Sequence, residues 1–221
     1  MPRTSRVVAV GYPHHITQRG NYGQDIFETP QDYLQYLAWL KECTKKYSFQ
    51  VWAYCMMKNH VHFVGVPMES DSLARTFNTL HQRYSLYFNK KKDVKGHLWQ
   101  GRFYSCVLDE RHLYAAVRYV ENNPVTAKIV KEAHDYQWSS ARAHVLGEPD
   151  EILFGGLYLL DGMEDWSAYL AEKGDEKLIK NIRQVTRTGL PCGDGEFIKE
   201  IATILGRKLA VSPRGRPRKK K

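Results

Sequence analysis

From Val7 to Val120 the apolar residues repeatedly change period, from every second position to a repeat of three and four, with Gly, Pro or Asn near most of the changes. Alternation places one row of side chains on each face of a strand, whereas the three-four repeat lays a single stripe along a helix. A chain patterned this way folds as layers of sheet and helix.

Val7 to Arg19 reads as a first strand, carried by Val7-Val8-Ala9-Val10 and His15-Ile16-Thr17, interrupted by Gly11 and Pro13 and stopped by Gly20-Asn21. Thr29-Pro30 offers an N-cap and a first-turn proline to a helix whose Tyr33, Tyr36, Leu37, Leu40 and Cys43 share a face and which ends near Tyr47. Phe49 to Met57 and Val61 to Val66 form a hairpin across Lys58-Asn59, closed by Pro67. Ser70 or Ser72 caps a second helix with Leu73, Phe77, Leu80, Tyr84 and Tyr87 inward, and Lys90-Lys91-Lys92 is expected in an exposed loop. Arg102 to Leu108 is the fourth strand. Asp109 opens a third helix with Leu113, Ala116, Val117 and Val120 inward, which Pro124 stops.

The order β-α-β-β-α-β-α predicts an α+β fold: a ferredoxin-like, RNA-recognition-motif-like antiparallel sheet with helices on one face and the other face free for a ligand. Past Gly147 the pattern turns helical, at Glu164 to Lys173, Asp175 to Arg187 and Asp194 to Leu209. The expected organisation is a working domain at 1–147, a helical extension at 148–209 and a basic tail at 210–221.

Composition narrows the class. With 43% hydrophobic and 26% charged residues in 221, the chain is expected to be globular. Mean hydropathy is −0.53. No run of 18 apolar residues and no signal-peptide layout at the N-terminus are seen, so a soluble cytoplasmic protein without membrane contact is expected. Cys43, Cys55, Cys106 and Cys192 have spacings that suit neither a zinc knuckle nor a compact disulfide framework and read as reduced, buried thiols. The net charge of +9 is unevenly placed: residues 1–147 carry +7, residues 148–200 carry −6 and residues 201–221 carry +8. Basic blocks of this kind suit nucleic acid, the alternative being a tail that only aids solubility.

His60 and His62 flank one apolar residue on the hairpin's second strand, so both imidazoles point to the same side while Val61 and Phe63 point to the other. Tyr119 and Asn123, four apart, share a face of the third helix. Two imidazoles and an amide oxygen can hold a divalent metal with positions open for phosphate, and a nearby tyrosine is a candidate nucleophile. The alternative is that Tyr119 packs a helix edge and Asn123 caps it before Pro124.

Three strings carry a family resemblance: Tyr54-Cys55-Met56-Met57-Lys58-Asn59-His60-Val61-His62-Phe63, Leu98-Trp99-Gln100-Gly101-Arg102-Phe103 and Arg118-Tyr119-Val120-Glu121-Asn122-Asn123-Pro124-Val125. Together with Pro13-His14-His15-Ile16-Thr17-Gln18-Arg19-Gly20-Asn21 and Tyr136-Gln137-Trp138-Ser139-Ser140, they resemble the REP-associated tyrosine transposases, relatives of the single-tyrosine insertion-sequence transposases, over residues 6–147. Two positions depart from the family pattern: Lys58 stands in place of a proline, and Thr126 in place of an arginine that would add a phosphate contact.

The resemblance implies metal-dependent cleavage and joining of single-stranded DNA at palindromic hairpins through a 5′-phosphotyrosine. In that reading Tyr119 is the nucleophile, and His60, His62 and Asn123 hold Mg²⁺ or Mn²⁺, which acts as a Lewis acid on the scissile phosphate. DNA contacts are expected from Thr17, Gln18, Arg19, Asn21, Trp99, Gln100 and Arg102. Trp99, Phe103 and Tyr104 are read either as stacking platforms or as core. His14, His15, His81 and His97 are read as structural or DNA-facing. Pro213-Arg214-Gly215-Arg216-Pro217 resembles an AT-hook, whose Arg214 and Arg216 would enter the minor groove of A·T-rich duplex, the alternative being a nonspecific electrostatic tail. A monomer or homodimer fits. Two competing functions stand beside this one: a DNA-binding regulator that has lost catalysis, and a metal-dependent phosphodiesterase that activates water.

Overall fold

The computed structural model describes residues 6–155, 163 and 165–209. Four antiparallel strands, β1 (His14–Arg19), β2 (Phe49–Met57), β3 (His60–Pro67) and β4 (Tyr104–Val107), form one sheet in the order β2-β3-β1-β4. This is the ferredoxin-like arrangement that the sequence predicts. Register fixes the faces: His60 pairs with Arg19, His62 with Thr17 and Val64 with His15, while His15 also pairs with Cys106 across β4. Residues directly opposite one another share a face, so His15, Thr17, Arg19, His60 and His62 all project to one side.

The other side is the main core, where Ile16, Tyr54, Val61 and Phe63 pack against α1 (Pro30–Lys46) and α2 (Ser72–Lys92). At the start of α1, Thr29 and Asp32 cap each other reciprocally. The Asp32 carboxylate is fully buried and also receives the Lys91 ammonium at 2.7 Å and the Tyr87 hydroxyl at 2.9 Å, tying α1 to the far end of α2. Lys90 to Lys92 therefore belong to the last helical turn and not to a loop. Three cations at a helix C-terminus are favoured by the helix dipole, and the left-handed Asp93 ends the helix after them.

Two further expectations are corrected. Val7 to Val10 precede the first strand: Gly11 at φ +80° turns the chain away, and Val7 and Ala9 pack instead with Val107 and Ile201. The second face of the sheet is not free. It carries α3 (Glu110–Glu121) and α7 (Glu176–Thr188), whose Leu113, Ala116, Val117, Val120 and Ile182 join Cys55, Val64 and Cys106 in a second core. The break after α3 falls at Asn122, and Pro124 occupies the first turn of a short following helix, α4 (Asn123–Thr126), where its missing N–H costs nothing.

Beyond α4, the chain lays Trp138 and Ser140 along the outer edge of β2, with Met56 N–H donating to Trp138 O at 2.9 Å and Ser140 N–H to Tyr54 O at 3.0 Å. It then forms α5 (Ala141–Leu146) and α6 (Trp166–Ala171). Glu121, fully buried at the end of α3, gathers this region: its carboxylate accepts from Ser140 Oγ at 2.5 Å and Trp166 Nε1 at 2.8 Å, and pairs with His144 Nδ1 at 2.6 Å. Asp175 and Asp194 accept N–H groups at the starts of α7 and of α8 (Gly195–Ile204). All four cysteines are buried and unbridged. Among the described residues, no helix is long and apolar enough to cross a membrane.

Candidate active site

The site lies on the second face of the sheet, where β3, β1, α3 and α7 meet. The His60 and His62 rings stand edge to face with centroids 5.0 Å apart. The Tyr119 ring lies 5.3 Å from His62, and the Asn123 side chain lies near enough to His60 to influence its titration while its amide donates to Tyr119 O at 3.1 Å. The four residues singled out for chemistry thus converge.

Burial sets the charge of both imidazoles. Desolvation, reinforced by the Arg19 guanidinium and opposed by the Asn123 side chain, lowers the His60 pKa to about 4. Desolvation, with His15, His60 and Arg183 adding to it, holds His62 well below the usual histidine range. Both rings are therefore neutral near pH 7, the form that ligates metal.

Their orientation is set by residues that the sequence reading did not place at the site. His60 Nδ1 is 2.6 Å from Asn59 Oδ1 in the hairpin turn. The Thr186 hydroxyl on α7 donates to Ile182 O at 2.7 Å, so it accepts from His15 Nδ1–H at 2.8 Å. That bond leaves His15 Nε2 unprotonated and accepting from His62 Nδ1–H at 3.0 Å. The tautomer assigned by this chain frees the lone pair on His62 Nε2. With each Nδ1 engaged, the two Nε2 atoms and the Asn123 amide oxygen are the donors that could hold a divalent cation here. Among the described residues, no three His, Cys, Asp or Glu side chains group as a metal site.

The residues expected to touch DNA fall into two groups. Thr17 and Arg19 share the face of the histidines. Gln18, Asn21, Trp99, Gln100 and Arg102 line a cavity of about 570 Å³ beside α2. Within it Gln100 and Arg102 are exposed, whereas Gln18 is buried with its amide donating to Gly101 O at 2.9 Å. Of the two readings of Trp99, the structure shows the core one. Its ring is buried against His81 with centroids 4.6 Å apart, and its indole N–H donates to His81 O. Phe103 is likewise core, under the Arg6 guanidinium, while Tyr104 stays half exposed next to Thr17. Arg214 and Arg216 lie outside the described residues.

Lys58 sits in the hairpin turn, its ammonium reaching Asp25 at 2.8 Å. Thr126 lines a second cavity, of about 870 Å³, that opens beside Tyr119 and is walled by α3 and α7.

The sheet and its helices have counterparts among known proteins. The model of the family described as "Transposase IS200 like" matches residues 9–123, which span the sheet and reach Asn123. The chain belongs to the IS200-like transposases, a family of DNA-processing enzymes. In fold it is similar to a solved REP-associated tyrosine transposase bound to a REP hairpin, with a TM-score of 0.54 and 21% identity over 70% of this chain and 92% of that one. No curated protein matches the chain.

Proposed function

We propose that this transposase cleaves and rejoins single-stranded DNA at palindromic hairpin sequences through a 5′-phosphotyrosine on Tyr119. The observation that carries the reading is the convergence of Tyr119 on His62, with centroids 5.3 Å apart, and of Asn123 on His60. The Tyr119 oxygen attacks phosphorus in line, its proton leaves as the new O–P bond forms, and the bond from phosphorus to the 3′ oxygen breaks with that oxygen taking up a proton. The ester preserves the bond energy, so a later 3′-hydroxyl reverses the step and joins strands. His60, His62 and Asn123 would hold Mg²⁺ or Mn²⁺, which when bound offsets charge on the scissile phosphate. Arg19 and Thr17 face the same side and serve the backbone near the cut.

Gln100, Arg102 and Asn21 line the cavity beside α2, where the neighbouring bases and phosphates of a hairpin would lie; that the similar solved transposase holds a REP hairpin supports this partner. The organisation proposed is a catalytic domain at 1–147, a helical extension at 148–209 and a tail at 210–221 whose Arg214 and Arg216 bind A·T-rich duplex.

The test is Tyr119→Phe beside Tyr114→Phe. Tyr114 is five residues earlier and so about 140° around the helix, with its ring directed to Tyr169 at 6.5 Å. Tyr119→Phe removes both cleavage and the covalent protein–DNA adduct, and Tyr114→Phe keeps both, as read by mass spectrometry of the trapped adduct. Cleavage without an adduct would replace this mechanism with attack by water; no cleavage by the intact chain would leave a DNA-binding regulator.

A further inference from the structure

The cavity beside Tyr119 has no counterpart among the DNA-contacting residues described above, and α7 supplies one of its walls. Its carboxylates are engaged: Glu172 accepts from Arg118 at 2.9 Å, Glu176 lies 3.6 Å from Lys173, and Glu132 pairs with His134. The cations facing it from α7 are Lys180 and Arg183, three apart and so on one helical face, with Lys131 across the opening. Arg183 is solvent-exposed, yet its guanidinium carbon sits 4.8 Å over the Tyr119 ring and its charge is felt at His62. It therefore stands beside the proposed nucleophile, at the wall of a cavity that Tyr119 also lines.

We propose that this cavity binds the phosphodiester backbone of single-stranded DNA and that Arg183, from the C-terminal extension, is its phosphate ligand at the nucleophile. The inference rests on Tyr119 being the site of attack and adds that α7 belongs to the active site. A planar guanidinium offers paired N–H donors to phosphate oxygens, and an exposed one gives up little hydration on turning from a ring face to an anion. Lys180 and Lys131 extend the positive lining along the strand. The cation that Thr126 does not supply on α4 is thereby present on α7.

The experiment measures binding of a fluorescent dT12 strand to the full-length protein across a salt series, for wild type, Arg183→Gln, Arg183→Lys and Arg187→Gln. Arg187 is exposed in the last turn of the same helix and does not line the cavity. Arg183→Gln is expected to weaken binding about tenfold at low salt, the worth of one charge-assisted contact. It should also flatten the slope of log affinity against log salt by about 0.7, the value for one phosphate on a single strand. Arg183→Lys keeps the slope, and Arg187→Gln changes neither quantity. An unchanged slope in Arg183→Gln, or an equal loss in Arg187→Gln, overturns the assignment. Thermal unfolding of Arg183→Gln should match wild type, since the side chain is exposed. Binding of dT12 needs no cleavage, so this result stands apart from the adduct experiment: failure of the Tyr119 reading appears there, and failure of the Arg183 reading appears here. Single-turnover cleavage gives a second reading, in which Arg183→Gln slows the reaction and Arg183→Lys recovers part of the rate; faster cleavage in Arg183→Gln would make α7 a cover over the site and not part of it.

Discussion

His62 and His15 lie ring over ring, 5.2 Å between centroids, joined by a 3.0 Å bond from one Nδ1 to the other Nε2. One is a proposed metal ligand and the other sets its tautomer. His15→Phe keeps the ring and removes the acceptor, so Mn²⁺ affinity measured by calorimetry should fall about 10–100-fold, the usual cost of losing an outer-shell partner. Thr186→Val cuts the next link and should shift affinity in the same direction by less. An unchanged Mn²⁺ affinity in His15→Phe would separate His15 from the site.

Glu121 holds three partners from two parts of the chain, Ser140 and His144 at α5 and Trp166 of α6, while fully buried. Glu121→Ala leaves the His144 and Trp166 donors without their acceptor, while Ser140 Oγ keeps Tyr54 O at 3.2 Å, and should cost about 3–5 kcal/mol in urea unfolding. Glu121→Gln keeps one acceptor oxygen and should cost less. Since α3 also carries Tyr119, the alanine variant should lose cleavage at a lower temperature than wild type. Equal stability of both variants would mean that the carboxylate is no hub.

Acid should weaken the fold through histidines far from the chemistry. Burial lowers His81 to about 3, and burial, against a bond to Tyr12 O, lowers His14 to about 4. Both values lie below the unfolded pKa near 6.5, so unfolding takes up protons between about pH 6.5 and pH 4. Stability is full above that window and falls within it, by about 1.4 kcal/mol per pH unit for each group. His81 Nε2 is 3.0 Å from the Tyr36 hydroxyl, and His81→Gln can retain a partner there. Its melting temperature should be lower at pH 7 and decline less between pH 6.5 and 5. Parallel declines in the two proteins would exclude His81 as a source of the acid sensitivity.

What could be read from the sequence was what is local. The strand alternation at His60-Val61-His62 and the four-residue spacing of Tyr119 and Asn123 each place side chains on a face by geometry within one element. Thr29-Pro30 marked the start of α1 because capping is a short-range bond. The parts that escaped depend on pairings between distant segments. His15 joins the site only through the register that sets it beside Val64 and Cys106, and no local pattern states a register. Thr186 and Arg183 arrive from a helix about 120 residues after β3, whose stripe of Ile182 and Thr186 says that it packs somewhere but not on which face of which sheet. Val7 to Val10 have strand composition and lack a strand partner, so tertiary packing against Ile201 decides their form.

The cavity beside α2 sets exposed polar residues, the proposed DNA readers, apart from one that is held within the fold. Gln18 has both ends of its amide engaged, Nε2 donating to Gly101 O at 2.9 Å and Oε1 accepting from Arg19 N–H at 3.3 Å, so it positions the loop that carries Gln100 and Arg102. Gln100 and Arg102 are exposed and free to meet a ligand. Three different signatures should follow in anisotropy titrations against hairpins varied one base at a time. Arg102→Gln should weaken every hairpin alike and flatten the salt slope by about 0.7–0.9, because a phosphate contact carries no sequence information. Gln100→Ala should leave the salt slope intact and narrow the spread of affinities at one base position, by about 1–3 kcal/mol if its amide reads that base. Gln18→Leu should weaken binding to all hairpins without changing the salt slope, and should raise protease sensitivity between residues 96 and 103, since the loop loses its side-chain tie to β1 and keeps only backbone ones such as Gln100 N–H to Arg19 O. A Gln18→Leu protein that alters base preference while its loop stays protected would make Gln18 a reader and reverse the two roles.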